Sequence, residues 1–307
     1  MGESLITRRA GGGEATITFE NYSPATNLTY ISASDLSLAR RYLAGASVGN
    51  YALFAGGYGS TVYSTVDAYN TSLTRSTPLA LSTARELLAG TSVGIYALFA
   101  GGEGSGYSPT VDAYNTSLTR STPTVLSEAR RALAGTSVGG YALFAGGYSS
   151  GDRYYSTVDA YSKGLTRSTP TALSQARSDL AGTSVGGYAL FAGGFTYSSG
   201  DRLYSTVDAY NTSLTRSTPA ALSTARDLLA GASVGEYALF AGGYNGNSIY
   251  SSTVDAYCDN LELSLFPNTK YKLNDMPSEQ TSTSFQTLSI PKPVNGYMKI
   301  QNATLQN

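Results

Sequence analysis

The sequence predicts an all-β chain folded as a single six-bladed β-propeller, with five blades as the alternative. Three observations carry this. The heptapeptide Tyr-Ala-Leu-Phe-Ala-Gly-Gly stands at Tyr51–Gly57, Tyr96–Gly102, Tyr141–Gly147, Tyr188–Gly194 and Tyr237–Gly243, with start-to-start spacings of 45, 45, 47 and 49 residues. A constant period of that size marks a repeat architecture. Each repeat holds four short strand patterns, and four antiparallel strands in about 45 residues make one propeller blade. Finally, 34 glycines and 25 tyrosines with no tryptophan suit many strands joined by tight turns.

In chain order, residues 1–14 read as a flexible arm containing Arg8-Arg9 and Gly11–Gly13. Two strand-like pieces follow, Thr16–Tyr22 and Leu28–Ser32. The repeats open near Arg40, Arg85, Arg130, Arg177 and Arg226. In the second repeat Leu87–Val93 is a first strand and Tyr96–Gly102 a second. The second strand is a short apolar run closed by a glycine pair, which predicts a buried strand where another backbone approaches closely. Thr110–Tyr114 is a third strand and Leu118–Ser121 a fourth, joined through the three-residue turn Asn115-Thr116-Ser117. Pro123 ends the last strand because it cannot donate to a ladder.

The termini are predicted to share a blade. From the fourth-strand leucine to the next arginine is 12 residues in Leu73 to Arg85 and again in Leu28 to Arg40. Leu28–Ile31 is therefore a fourth strand in need of a blade. The fifth repeat does not need it, since Cys258-Asp259-Asn260-Leu261 matches Asn-Thr-Ser-Leu without a gap and supplies a fourth strand of its own. Gln286–Tyr297 aligns without a gap to Arg40–Tyr51. A composite blade of 286–307 with 15–32 would close one domain over 15–307 and remove open sheet edges.

Composition excludes several functions. A net charge of −1 with 13% charged residues gives no electrostatic reason to expect nucleic acid or an anionic membrane as partner. Histidine is absent, which removes His-based triads, His acid–base chemistry and imidazole metal sites. Cys258 is the single cysteine, so it forms no intrachain disulfide and reads as a packing residue. The N-terminus lacks the apolar core of a secretory signal, and no segment approaches the roughly 20 apolar residues of a membrane helix. No catalytic residue, metal site or cofactor is expected, and the chain is expected not to be an enzyme.

The order of Leu/Val-rich strand, Gly-Gly doublet, Tyr, then Pro and Arg resembles the kelch family over about 220 residues, a family of β-propellers. One departure stands out: the tryptophan that kelch blades carry after the tyrosine is replaced by Ser76, Ser121, Ser168 and Ser217. Packing between blades must then be built differently, and the many tyrosines are the candidates. Tandem near-identity with variable loops is similar to kelch-type propellers among bacteriophage tail proteins of Gram-positive hosts. The opening Gly2–Arg9 before a glycine run also resembles such tail components. The resemblance implies a virion component that contacts a host receptor, either a protein or a cell-surface glycan. Residues 1–14 would contact other virion proteins. The alternatives are an intracellular kelch-type adaptor, cytoplasmic for want of a signal peptide, and a propeller enzyme acting on glycans.

Because the repeats are near copies, their differences locate function. The link between Gly-Gly and Thr-Val-Asp-Ala-Tyr runs 7, 7, 9, 11 and 9 residues: Tyr58–Ser64, Glu103–Pro109, Tyr148–Ser156, Phe195–Ser205 and Tyr244–Ser252. Steps of two are what a lengthening hairpin requires, because they keep every side chain on its face. Ten of the 25 tyrosines fall in these 43 residues, with serine, glycine, asparagine and aspartate, the composition of an adaptable binding surface. Candidate contacts are Tyr58, Tyr107, Tyr148, Asp152, Arg153, Tyr154, Tyr197, Asp201, Arg202, Tyr244, Asn245 and Asn247. Arg153, Tyr154, Tyr197 and Arg202 lead because they are the least repeated. Tyr63, Tyr155, Tyr204 and Tyr250 recur before the third strand and can equally well pack.

Arg40, Arg85, Arg130, Arg177 and Arg226 enter the first strands. They would either ring a channel mouth and hold an anion or carboxylate, or cap carbonyls between blades. Asp67 with Arg75, and the copies Asp112–Arg120, Asp159–Arg167 and Asp208–Arg216, are expected to face each other across a hairpin as ion pairs. The sequons at Asn70, Asn115 and Asn211 read as turn chemistry.

Overall fold

The computed structural model describes residues 18–20, 31–197, 200–246, 249–258, 263–264, 287–288 and 297–299. Every regular element among them is a strand. The chain divides into two units, Ala33–Asp259 and the terminal stretches Met1–Ser32 with Asn260–Asn307.

The larger unit is five successive antiparallel sheets. The second shows the plan: Ala89–Val93, Tyr96–Ala100, Val111–Asn115 and Arg120–Ser121, in that spatial order. The first, third and fourth sheets repeat it with first strands Ala44–Val48, Ala134–Val138 and Ala181–Val185. The fifth holds three strands, Ala230–Val234, Tyr237–Ala241 and Val254–Cys258. Sheets of this order packed face to face in sequence are the blades of a β-propeller.

Adjacent sheets bury one continuous layer between them. Leu53, Ala55, Val66 and Ala68 of the first sheet meet Leu88, Ala97, Phe99 and Tyr114 of the second, and the same positions meet between each later pair. The tyrosines answer the missing tryptophan. Tyr114 lies edge-on to Phe99 with ring centroids 6.0 Å apart, fully buried, and its hydroxyl donates to the Leu79 carbonyl at 2.7 Å. Tyr161 and Tyr210 do the same in their own sheets, and Tyr69 and Tyr257 make the same ring contact and hydroxyl bond while half-buried.

Two glycine positions set how closely the chains approach. In the doublet, Gly146 has φ +69, and a Cβ there would lie 2.6 Å from the Arg177 carbonyl oxygen of the next sheet. Gly90 of the first strand is a second such position: a Cβ would stand 2.4 Å from the Gly45 carbonyl oxygen. First strands of neighbouring sheets therefore run side by side only because both lack side chains there.

The turn between third and fourth strands differs from the Asn115-Thr116-Ser117 loop expected. Tyr114 pairs with Arg120 and the Asn115 N–H donates to the Thr119 carbonyl at 3.1 Å, so the turn is shifted by one residue to Thr116, Ser117 and Leu118. The Asn115 side-chain oxygen accepts the Ser117 and Thr119 N–H groups at 2.9 and 3.0 Å, and Leu118 takes φ +59. Asparagine is there for its side-chain acceptor.

In the smaller unit Thr18–Glu20 pairs antiparallel with Tyr297–Lys299, and Leu263–Ser264 with Thr287–Leu288. The first pairing joins an N-terminal to a C-terminal strand. The second departs from the expectation of a fourth strand in the fifth sheet. Leu263 stands where Arg75, Arg120, Arg167 and Arg216 stand in the other repeats, so the fifth repeat lacks the arginine that ties a fourth strand to its aspartate. The expected arm 1–14, most of Leu28–Ile31 and most of 286–307 lie outside the described residues.

Candidate functional site

The five arginines that enter the first strands are fully buried, which corrects the expectation of a ring open to an anion. Arg85 Nη2 lies 2.7 Å from the Asp112 carboxylate and donates to the Phe99 carbonyl at 3.0 Å, within its own sheet and not between blades. The pairs Arg40–Asp67, Arg130–Asp159, Arg177–Asp208 and Arg226–Asp255 are each 2.8 Å. Desolvation would make such a pair costly, and the extra hydrogen bonds offset it. Asp112 also accepts from Ser82 N and Oγ, both at 3.1 Å, and Ser37, Ser127 and Ser174 repeat the contact at Asp67, Asp159 and Asp208.

The second arginines join the same carboxylates diagonally. Arg75, Arg167 and Arg216 sit 2.9, 3.0 and 2.8 Å from Asp67, Asp159 and Asp208. Arg120 stands 3.7 Å from Asp112 because it donates instead to the Ala80 carbonyl at 2.6 Å. Burial works against the Asp67 carboxylate, yet the bonds from Ser37, Arg40 and Arg75 prevail and hold its pKa below the usual value. Burial pulls the Arg85 and Arg177 guanidinium values down, against the attraction of Asp112 and Asp208. This is framework, not site.

What lies beside it is variable. Between each buried arginine and the following leucine stands a pair of residues, and no two repeats carry the same pair: Arg41-Tyr42, Glu86-Leu87, Arg131-Ala132, Ser178-Asp179 and Asp227-Leu228. The first of each pair bridges the start of its variable loop, as Arg41 with Tyr58, Glu86 with Glu103, Arg131 with Tyr148, Ser178 with Phe195 and Asp227 with Tyr244. The second has φ between +52 and +57 in all five. Leu87 N–H donates to the Tyr42 carbonyl at 3.0 Å, Ala132 to Leu87 at 2.9 Å, Asp179 to Ala132 at 3.0 Å and Leu228 to Asp179 at 3.0 Å. A positive φ at a non-glycine residue is strained, and a repeated inter-sheet hydrogen bond holds it in place. The result is one arc crossing all five sheets at the end that carries the variable loops. Sequence reasoning missed these positions, although the rule applied to the long loops, variation among near copies, would have found them.

The loops bring their predicted residues together unevenly. Tyr107, Tyr148, Tyr154 and Phe195 form a band across three loops, with successive ring centroids 6.0, 5.1 and 6.2 Å apart. The Arg131 guanidinium lies over Tyr107 and Tyr148 at 5.8 and 5.5 Å and pairs with Glu103. Burial raises the Tyr107 and Tyr154 hydroxyl pKa values. Tyr197 is 53% exposed. Arg153 is exposed, stacks on Tyr155 at 5.1 Å and reaches Glu128 at 3.2 Å; Arg202 stacks on Tyr204 at 5.2 Å. Asp152 is exposed at a turn with φ +55, and Tyr58 lies under Arg41 at 5.5 Å. Tyr244 contacts Tyr250 at 6.1 Å, and the Asn245 N–H donates to the Ile249 carbonyl. The backbone of Asp201 pairs with Tyr197; Asn247 lies outside the described residues. Tyr63, Tyr155 and Tyr204 hydrogen-bond within their loops to Ser60, Ser149 and Thr196, which is the packing role, whereas Tyr250 is 84% exposed.

The loops of the third and fourth sheets meet as one patch. Between them opens a cleft of about 220 Å³ lined by Arg131, Tyr148, Tyr154, Ser178, Asp179 and Phe195, with Leu87 and Ala132 from the arc. Burial pushes the Asp179 carboxyl up, against the hydrogen bond from Ser178 and the more distant Arg131. Among the described residues no three His, Cys, Asp or Glu side chains gather as a metal site would require, and no helix is long and apolar enough to cross a membrane.

Fold and site together define a β-propeller with its loop-length variation at one end of its sheets. Among solved structures the chain is similar to that of YjhT, with a TM-score of 0.62 at 11% identity over 78% of this chain and 88% of that one. At that identity the likeness is one of fold. No family model matches the sequence. No curated protein matches it either.

Proposed function

We propose that this chain is a non-catalytic binding module, a kelch-type propeller of a phage virion that contacts a host receptor or another virion protein through its variable face. The observation that carries the reading is where loop length varies. Arginine, aspartate, glycine and tyrosine of the framework repeat from sheet to sheet, while the links after the Gly-Gly pairs run from 7 to 11 residues and change in composition, all at the end where the arc lies. A rigid scaffold presenting adaptable contacts is how binding surfaces are commonly built. Exposed tyrosines and arginines are the residue types that dominate binding hot spots. The phage assignment rests on the sequence resemblance. A six-bladed ring closed by 286–307 with 15–32 belongs to the same reading, and the pairing of Thr18–Glu20 with Tyr297–Lys299 supports it.

The test is a pull-down from host cells and from virion proteins, with wild type beside a variant carrying Arg153→Ala, Tyr154→Ala, Tyr197→Ala and Arg202→Ala. The variant should melt almost as wild type does and lose at least about 2 kcal/mol of binding. Equal capture by both proteins would move the site away from this face.

A further inference from the structure

The cleft between the third and fourth sheets holds one carboxylate, Asp179, that has no ion-pair partner among the described residues. Asp179 is the only acidic member of the arc; the others are Tyr42, Leu87, Ala132 and Leu228. It is half-buried, and its carboxylate accepts a hydrogen bond from its neighbour Ser178 Oγ at 2.6 Å. The nearest cation, Arg131, is already committed. Its ion pair goes to Glu103 and its guanidinium faces two tyrosine rings. Asp179 makes no ion pair among the described residues, and an ionised carboxylate offers about four acceptor positions. Tyr148, Tyr154 and Phe195 complete the lining with Leu87 and Ala132.

We propose that this cleft receives a basic side chain, a lysine ammonium or an arginine guanidinium presented by a protein partner, with Asp179 as its counter-ion and the three aromatic residues in its lining. Three features converge on a cation. With Arg131 neutralised by Glu103, the charge left in the cleft is negative. The negative faces of aromatic rings attract cations. A charge-assisted hydrogen bond to a half-buried carboxylate is stronger than a neutral one. An anion would meet Asp179 unfavourably, and a neutral glycan would leave its charge unmatched. The inference rests on the reading of this face as a binding surface and names what the partner must bring to it.

The experiment titrates the full chain with Nα-acetyl-arginine methylamide and with its uncharged citrulline counterpart, by calorimetry. The same titration is run on Asp179→Asn. Asparagine tolerates the left-handed backbone at this position, so the variant should melt as wild type does. The arginine probe should bind wild type saturably. The citrulline probe, and the arginine probe on Asp179→Asn, should each bind at least about tenfold more weakly, one charge-assisted hydrogen bond being worth that much. Absence of saturable arginine binding, equal binding of citrulline, undiminished binding by Asp179→Asn, or binding of a neutral methyl glycoside in its place overturns the proposal. Asp179→Asn also joins the pull-down. Partner capture lost in the quadruple variant but kept in Asp179→Asn rejects the basic-side-chain receptacle alone. Capture kept in both rejects the binding face itself.

Discussion

The middle and outer sheets of the larger unit share the same heptapeptide and bury it differently. Phe99, Phe144 and Phe191 are 0% exposed, whereas the equivalent Phe54 of the first sheet is 36% exposed. At the other end Val234 of the fifth sheet is 61% exposed, against 6% for Val185 of the fourth. Within the larger unit each outer sheet is covered by a neighbour on one face, shown by the buried Leu53 and Phe240. The sequence Tyr-Ala-Leu-Phe-Ala therefore does not determine burial by itself. A neighbouring sheet does, so that stability in this fold is a sum of contacts between adjacent repeats.

Truncating the same phenylalanine at two positions should separate the two environments most. Phe144→Ala should cost about 3–5 kcal/mol, the range for a buried aromatic, while Phe54→Ala should cost less than half of that unless a sixth blade covers its exposed side. Chemical denaturation of both variants makes the measurement, and equal losses would show that the outer face of the first sheet is covered in solution.

The inner glycines sharpen the contrast at smaller scale. Gly90→Ala must push against the Gly45 backbone and should cost about 1–3 kcal/mol. Among the described residues a Cβ at Gly45 meets nothing closer than the Phe54 ring at 3.7 Å, so Gly45→Ala should be nearly neutral unless a composite blade lies against it. If thermal melting shows the same loss for both, another backbone comes as near to the first sheet, as a composite blade requires.

Acid should act with the smallest effect, and through the outer sheets. The Asp67 and Asp255 carboxyls are held below their ordinary value of 3.8, as burial is outweighed by hydrogen bonds from Ser37, Arg40 and Arg75 at one and from Arg226 and Ser223 at the other. A carboxyl with a depressed folded-state pKa binds fewer protons folded than unfolded, so stability is full above the ordinary value and is lost as pH falls through the lower one. The melting midpoint should decline below pH 3.8, and less in Asp255→Asn than in wild type. An identical pH profile in that variant would remove Asp255 from the account.

Much of the fold was legible because the repeats police one another. Recurrence placed the four strands, and the two-residue steps in loop length told a hairpin from an irregular loop. The buried Arg–Asp pairs were not legible. Arg85 and Asp112 are 27 residues apart, and nothing in their local patterns says that they meet. Sequence reading set the two families of arginine apart as separate constellations, yet they share one carboxylate. In the site, the tyrosine-rich loops were visible as composition. The arc was not, because a left-handed backbone at tyrosine, leucine, alanine or aspartate carries no sequence signature of the kind that glycine supplies.

The loops of the third and fourth sheets show what the two-residue step makes possible. In one, Tyr148–Ser149 pairs with Arg153–Tyr154; in the other, Phe195–Tyr197 pairs with Asp201–Leu203, one rung more. Each added pair lifts the turn outward by about 3.3 Å and leaves every lower side chain facing as it did. Reach thus becomes a property that can be adjusted like the length of a ladder, independently of what the rungs present, and a surface of uneven height can be matched without rebuilding the ground on which the ladders stand.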